Sequence, residues 1–213
     1  VSFRISATTV ESYHLYRTTD WMTEERFVRG LKEFTPTPQI RRGMAFESVL
    51  RFPDRYRTPE SFVADDIEFP LPVVERALDH IPARMVWQAK ATKVYTIDGE
   101  PVTVVAKTDG QVGRVVVEVK TTDNFSIDRY EGSRQWRLYL DIFEADACQY
   151  VVYVLREGKR DGEIYLAQIE ELEMLPYDGL RADVMDDIRH LVSFIHLRGL
   201  EEHFGPREEA AFI

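Results

Sequence analysis

Asp109, Glu118 and Lys120 are the residues of this 213-residue chain whose types and spacing point most directly to chemistry. They lie in the stretch Thr108-Asp-Gly-Gln-Val-Gly-Arg-Val-Val-Val-Glu-Val-Lys120. Gly113-Arg114 falls between two apolar runs, and glycine at the first central position suits a two-residue type II′ turn. That turn sets the register: Val112 faces Val115, Gln111 faces Val116, Gly110 faces Val117, and Asp109 faces Glu118. Opposed residues share one side of a sheet at about 5 Å, and Lys120, two residues past Glu118, joins that side. Two carboxylates so placed repel by roughly 3 kcal/mol at an effective dielectric near 20. A divalent cation between them reverses the sign. Oxygen-only ligands favour a hard ion, Mg²⁺ or Mn²⁺, over zinc. The adjacent ammonium can hold a water for attack or balance charge on a phosphate. The plainer reading is a surface turn followed by a solvated edge strand. An acid at the matching register, with Gln135-x-x-x-Tyr139 further on, weighs against it.

The elements that must carry these residues follow from periodicity. Helices are expected at Ser6 to Arg17, capped by Ser6, Thr8 or Thr9, and at Met22 to Phe34, with Phe27, Leu31 and Phe34 on one stripe. Thr35-Pro-Thr-Pro38 ends the second, and a third runs from about Gln39 to Arg51. Residues 52–70 read as an irregular, proline-punctuated surface segment, and Pro72 to Ile81 as a short helix. Strands are expected at Val86 to Ile97, Val102 to Lys107 and Val115 to Lys120, with a turn at Asp98-Gly99. Glu131 to Ala145 returns to helical spacing, with Trp136, Leu140, Phe143 and Ala147 along one side. Strands at Tyr150 to Leu155 and Glu163 to Ile169 flank a charged turn at Gly158 to Gly162, and a long helix spans Asp178 to Arg198. The order implies one α/β domain, a mixed sheet flanked by helices: a helical part over about 1–83, and a core sheet with helices over about 84–213.

Composition narrows the classes. No apolar run approaches the roughly 20 residues of a membrane span. The opening Val1 to Val10 carries Arg4 and no apolar core, so no secretion signal is expected and the setting reads as cytoplasmic. One cysteine, Cys148, excludes an internal disulfide and a four-cysteine cluster. The five histidines show no metal-ligand spacing. The net charge of −10 is uneven: residues 138–213 hold 7 Lys/Arg against 17 Asp/Glu, whereas 84–137 hold 9 against 7. Salt screens charges beyond about 10 Å, so an acidic C-terminal third leaves a local phosphate site possible.

Four segments together resemble the PD-(D/E)XK nucleases, closest in style to the phage lambda exonuclease and RecB-type branch. Arg42-Gly-Met-Ala-Phe-Glu47 resembles the first-helix motif. Thr108-Asp109-Gly110 resembles the P-D-G element with threonine for proline. Glu118-Val-Lys120 is similar to the E-x-K element, and Gln135-Trp-Arg-Leu-Tyr139 to Q-x-x-x-Y. Ile5-Ser-Ala-Thr-Thr-Val-Glu-Ser-Tyr13 also resembles the opening of RecB-type domains. The matches run from about residue 5 to 155.

The resemblance implies a restriction-endonuclease-like fold and hydrolysis of DNA phosphodiesters with Mg²⁺, Mn²⁺ substituting. Glu47, Asp109, Glu118 and the Val119 carbonyl would hold the metal. Lys120 would place the attacking water, and Gln135 and Tyr139 would orient the phosphate or Lys120. Gly43, one turn before Glu47, would let a strand approach the helix closely. Arg134 and Arg137 flank the Q-x-x-x-Y residues, and Arg41, Arg42 and Arg129 are further candidates for phosphate contact. An exonuclease of phage or bacterial recombination or repair is the activity implied, with a homo-oligomer and a single-strand annealing protein as possible partners. Two other readings compete: a catalytically inactive module on the same fold that binds nucleic acid or protein, and an assembly protein that binds no nucleic acid.

Overall fold

The computed structural model describes residues 3–158 and 163–204. The chain opens with a strand that local periodicity does not disclose, β1 (Phe3–Ser6). Helix α1 (Ala7–Thr18) follows directly, with the Ser6 hydroxyl accepting from the Thr9 amide at 3.0 Å. Thr23 caps α2 (Glu24–Lys32), and Thr37 caps α3 (Pro38–Arg51), which has proline in its first turn. Because α2 stops at Lys32, Phe34 lies beyond the stripe that buries Phe27 and is exposed.

Residues 52–70 are ordered, contrary to the expectation of an irregular segment. They form α4 (Pro53–Tyr56) and a hairpin of β2 (Ser61–Ala64) and β3 (Ile67–Pro70). Asp65 and Asp66 form its two-residue loop, both at positive φ, 50° and 63°. That is the requirement of a type I′ turn, which aspartate tolerates. Helix α5 is Leu71–Leu78.

The single strand expected at 86–97 is two: β4 (Val86–Trp87) and β5 (Lys90–Ile97), parted at Gln88, whose φ is +56°. β6 (Glu100–Lys107) is likewise parted from β7 (Gly110–Val112), and β8 (Val115–Thr122) follows the tight turn. The helix expected at 131–145 is α6 (Ile127–Glu131) and α7 (Gln135–Phe143), interrupted around Gly132 and Ser133. Ala147 belongs to β9 (Ala147–Glu157), not to a helix stripe. β10 (Ile164–Met174) pairs with β9 antiparallel, and α8 (Leu180–Arg198) ends at Gly199 with φ +62°. Of the turn expected at Gly158 to Gly162, residues 159–162 lie outside the described residues.

The strands make a five-stranded mixed sheet, β10-β9-β8-β7-β4, a three-stranded sheet, β1-β6-β5, and the small β2–β3 hairpin. β8 and β9 are parallel, buried on both faces and rich in valine, as a central parallel pair requires. One face, with Val116, Tyr150 and Val152, shares a core with α1, α7, α8 and the three-stranded sheet. The other, with Val117, Val119 and Tyr153, packs on α3, α5 and the hairpin. This is the mixed sheet with helices on both faces that the order of elements implies. Among the described residues no helix is long and apolar enough to cross a membrane.

Candidate active site

The turn and register read from the sequence are those observed. Gly113 has φ +56°, and Gly110 faces Val117, Gln111 faces Val116 and Val112 faces Val115. Asp109 lies one residue beyond this ladder, where the ribbon passes from one sheet to the other. There the Gln88 amide donates to the Asp109 carbonyl at 2.8 Å, and the Thr108 amide donates to the Ala89 carbonyl at 2.9 Å. The second bond is one that a proline at 108 could not donate. Threonine therefore adds an anchor where the family pattern has a rigid ring. The buried Thr108 hydroxyl adds another, donating to the Gly110 carbonyl at 3.1 Å.

This crossing points the Asp109 side chain at the middle of β8. The Val119 amide donates to Asp109 Oδ2 at 2.9 Å, and the Asp109 amide donates to Glu118 Oε1 at 3.1 Å. Lys120 Nζ lies 2.5 Å from Glu118 Oε2 and 3.3 Å from Asp109 Oδ2. The two acids thus share one cation, the lysine's own ammonium.

Glu118 is 1% exposed. Burial pushes its carboxyl up to about 7, Lys120 pulls it back, and Asp109 pushes it up again. Burial alone would lower the Lys120 ammonium, but the charges of Glu118 and Asp109 outweigh it and hold it well above its usual value. Lys120 is therefore charged, and Glu118 lacks enough positive charge nearby to ionise at an ordinary carboxylate pH.

Glu47 reaches this group from α3. Gly43, one turn earlier, lies against β8 so closely that a Cβ there would stand 2.5 Å from Thr121 Oγ1. Burial raises the Glu47 carboxyl, the Asp109 charge raises it further, and Lys120 opposes both. It joins the pair through the electrostatic field rather than through a bond. Among the described residues no three His, Cys, Asp or Glu side chains are grouped closely enough to hold a metal ion. The residues fit a hard divalent cation in donor type: oxygen ligands, mutually repelling, with two already turned to a cation.

Two cavities meet at Lys120 and Arg129. One, of about 830 Å³, is lined by Glu11, His14, Trp21, Tyr130 and Gln135. The other, of about 700 Å³, is lined by Arg42, Gly43, Glu47 and Thr121. Gln135 thus shares a wall with Lys120. Tyr139, one turn on, is buried and donates to the Lys107 carbonyl at 3.0 Å. It ties α7 to the strand that ends beside Asp109, so its hydroxyl is engaged by backbone.

The arginines divide. Arg41 is exposed on α3. Arg42 is ion-paired to Asp123 and, at 3.2 Å, to Glu157. Arg134 pairs with Asp187 at 3.3 Å, and the Arg137 guanidinium lies 5.1 Å from the Trp136 ring centroid. These last two line a separate cavity of about 300 Å³ with Asp183 and Asp187, not the pair of cavities that meet at Lys120. Arg129 lines both of that pair. Sequence reasoning missed Glu11, Trp21 and Tyr130, which adjoin the site only through tertiary packing; Glu11 lies in the opening segment, but spacing alone assigned it no role.

No family model and no curated protein matches the sequence. Solved structures do match in fold. The structure of SSO0001 is 13% identical with a TM-score of 0.54, covering 91% of this chain and 77% of that one. An alkaline exonuclease from Laribacter hongkongensis is 14% identical with a TM-score of 0.51, covering 92% and 89%. A phage related exonuclease from Haemophilus somnus 129PT is 7% identical with a TM-score of 0.50, covering 95% and 97%. The chain has the fold of these exonucleases, the α/β fold that its motifs imply.

Proposed function

We propose that this chain is a Mg²⁺-dependent deoxyribonuclease, an exonuclease of the phage or bacterial recombination and repair type. The observation that carries the reading is the pairing of Asp109 and Glu118 around one cation at the meeting of two open cavities. The exonuclease fold supports it.

Asp109, Glu118, Glu47 and the Val119 carbonyl would hold the ion. When bound, Mg²⁺ supplies Lewis acidity to a phosphate and lowers the pKa of water. The chain's own residues do the rest. Lys120, held charged beside two acids, orients the attacking water through its ammonium and offsets charge gathering on the phosphate oxygens. Glu118, being deeply buried, keeps its oxygens away from bulk water and fixed in direction. Arg129 holds the phosphodiester backbone where the cavities join, and Gln135 fixes the phosphate from the α7 side. DNA is the substrate and the cytoplasm the setting under this reading, with a homo-oligomer and a single-strand annealing protein as candidate partners.

The test is digestion of end-labelled linear DNA against closed circular DNA of the same sequence, with Mg²⁺ and with EDTA. An exonuclease degrades the linear form only, and only with Mg²⁺. Loss of the closed circle points to endonuclease action. Retention of DNA without any cleavage points to an inactive binding module.

A further inference from the structure

Helix α7 begins with a single local cap bond, the Ser133 hydroxyl accepting from the Gln135 amide at 3.1 Å. Arg134, at its N-cap position, is in helical conformation and makes no side-chain cap bond. A residue from α1, more than a hundred positions away, supplies what is missing. Glu11 Oε2 accepts from the Arg134 amide at 2.5 Å, from the Gln135 amide at 3.2 Å and from the Ser133 hydroxyl at 3.1 Å. A serine or aspartate at position 134 would cap the amide of residue 136 or 137 and would leave the Arg134 and Gln135 amides to another acceptor. The long-range arrangement does something a local cap cannot: it fixes where the first turn of α7 stands relative to α1.

The other end of α7 is fixed independently. Asp141 accepts from the Tyr95 hydroxyl at 2.5 Å and pairs with Lys93 at 3.0 Å, and Tyr139 bonds to β6. These contacts hold the C-terminal part of the helix. At its first turn Glu11 acts beside the Ser133 hydroxyl, the Arg134–Asp187 ion pair at 3.3 Å and the Trp136 Nε1 bond to the Glu131 carbonyl at 3.2 Å. Of these only Glu11 takes both the Arg134 and the Gln135 amides. Gln135 is in that turn, and Glu11, Gln135 and Lys120 line one cavity.

We propose that Glu11 is a positioning residue for the reaction, holding Gln135 at its place in the cavity wall it shares with Lys120. This role rests on the nuclease reading above. Glu11 touches no reacting atom and acts through the first turn of α7. The consequence is specific: loss of Glu11 lowers turnover through Gln135, so the two residues are not independent.

The experiment measures kcat, KM and thermal unfolding for wild type, Glu11→Ala, Glu11→Gln, Gln135→Ala and the double variant Glu11→Ala/Gln135→Ala, on end-labelled linear DNA with Mg²⁺. Glu11→Ala is expected to lower kcat by about tenfold or more, since small misplacements at a site are costly, with KM changed less. Glu11→Gln, whose carbonyl oxygen can accept the same amides, recovers most of that loss. In the Gln135→Ala background Glu11→Ala lowers kcat by less than about twofold, as residues acting as one unit do. If Glu11→Ala does not fold, Glu11→Asp, which keeps the charge but shortens the reach, takes its place with the same non-additivity required. A kcat within about twofold of wild type for the variant carrying the test, or an equal loss in both backgrounds, overturns the role. A wild type that cuts no DNA overturns the nuclease reading itself, and the role with it; a cutting wild type with an unaffected variant overturns the role alone.

Discussion

Gly43 on α3 faces Thr121 on β8 at a distance that leaves no room for a Cβ, which would stand 2.5 Å from the threonine hydroxyl oxygen. This contact brings the helix carrying Glu47 against the strand carrying Glu118 and Lys120. Alanine is intrinsically better than glycine in a helix by about 1 kcal/mol, but overpacking costs about 1–3 kcal/mol. The clash is therefore expected to win. Gly43→Ala should lower the denaturant midpoint, and Thr121→Ala should reverse the sign, so that Gly43→Ala stabilises a Thr121→Ala background. A Gly43→Ala protein more stable than wild type would show that the contact is loose.

Glu118 gives a pH dependence of definite sign. Its carboxyl is raised chiefly by burial, from 4.5 to about 7, so the folded chain binds this proton more tightly than the unfolded one. Its contribution to stability is then greatest below about pH 4.5, falls as pH rises to about 7, and is level above that, a loss on the order of 3 kcal/mol. Lys120 stays charged throughout this window and adds no slope. Urea unfolding in EDTA between pH 4.5 and 8 should show a steeper fall for wild type than for Glu118→Gln. Mg²⁺, by favouring the ionised carboxylate, should flatten the wild-type curve. Parallel curves for the two proteins would contradict the burial argument.

Tyr139 acts through the backbone. Tyr139→Phe removes the bond to the part-buried Lys107 carbonyl, at a cost of about 1 kcal/mol. Turnover on DNA should fall by less than for Lys120→Ala, because the hydroxyl holds a strand and not a reactant. A loss of turnover equal to that of Lys120→Ala, without loss of stability, would assign the hydroxyl to the chemistry instead.

Arg129 and Arg137 are expected to differ in DNA binding. Arg129 borders both cavities at Lys120, whereas Arg137 lies over the Trp136 ring beside Asp183 and Asp187. Arg129→Ala should weaken binding and reduce the slope of log K against log salt by about one. Arg137→Ala should leave that slope unchanged. Filter binding across a salt series checks both, and a smaller slope for Arg137→Ala would move the DNA path toward α8.

The site was legible in the sequence to the extent that it is local. Gly113 fixes a two-residue turn, the turn fixes the register as far as Gly110 and Val117, and Asp109, one residue beyond that ladder, meets Glu118 and Lys120. The helix cap at Ser6 likewise depends on neighbours in sequence. The remainder depends on tertiary pairing. β1 exists because β6 is there to receive it. The apparent strand at 86–97 divides because Gln88 and Asp109 take the ribbon between two sheets. The apparent helix at 131–145 is two, α6 and α7, parted around Gly132 and Ser133, and Glu11 from another helix accepts from the first amides of the second. The β2–β3 hairpin was hidden by prolines at its margins, although its Asp65-Asp66 turn was there to be read.

The most direct measurement of the account is the Mg²⁺-dependent rate of linear DNA cleavage by wild type and by Lys120→Ala at saturating substrate. Wild type should cleave, with all activity lost to EDTA, and the variant should be slower by about 10²-fold or more while keeping its fold. A Lys120→Ala protein that cleaves at the wild-type rate, or a wild type whose cleavage is indifferent to EDTA, would contradict it.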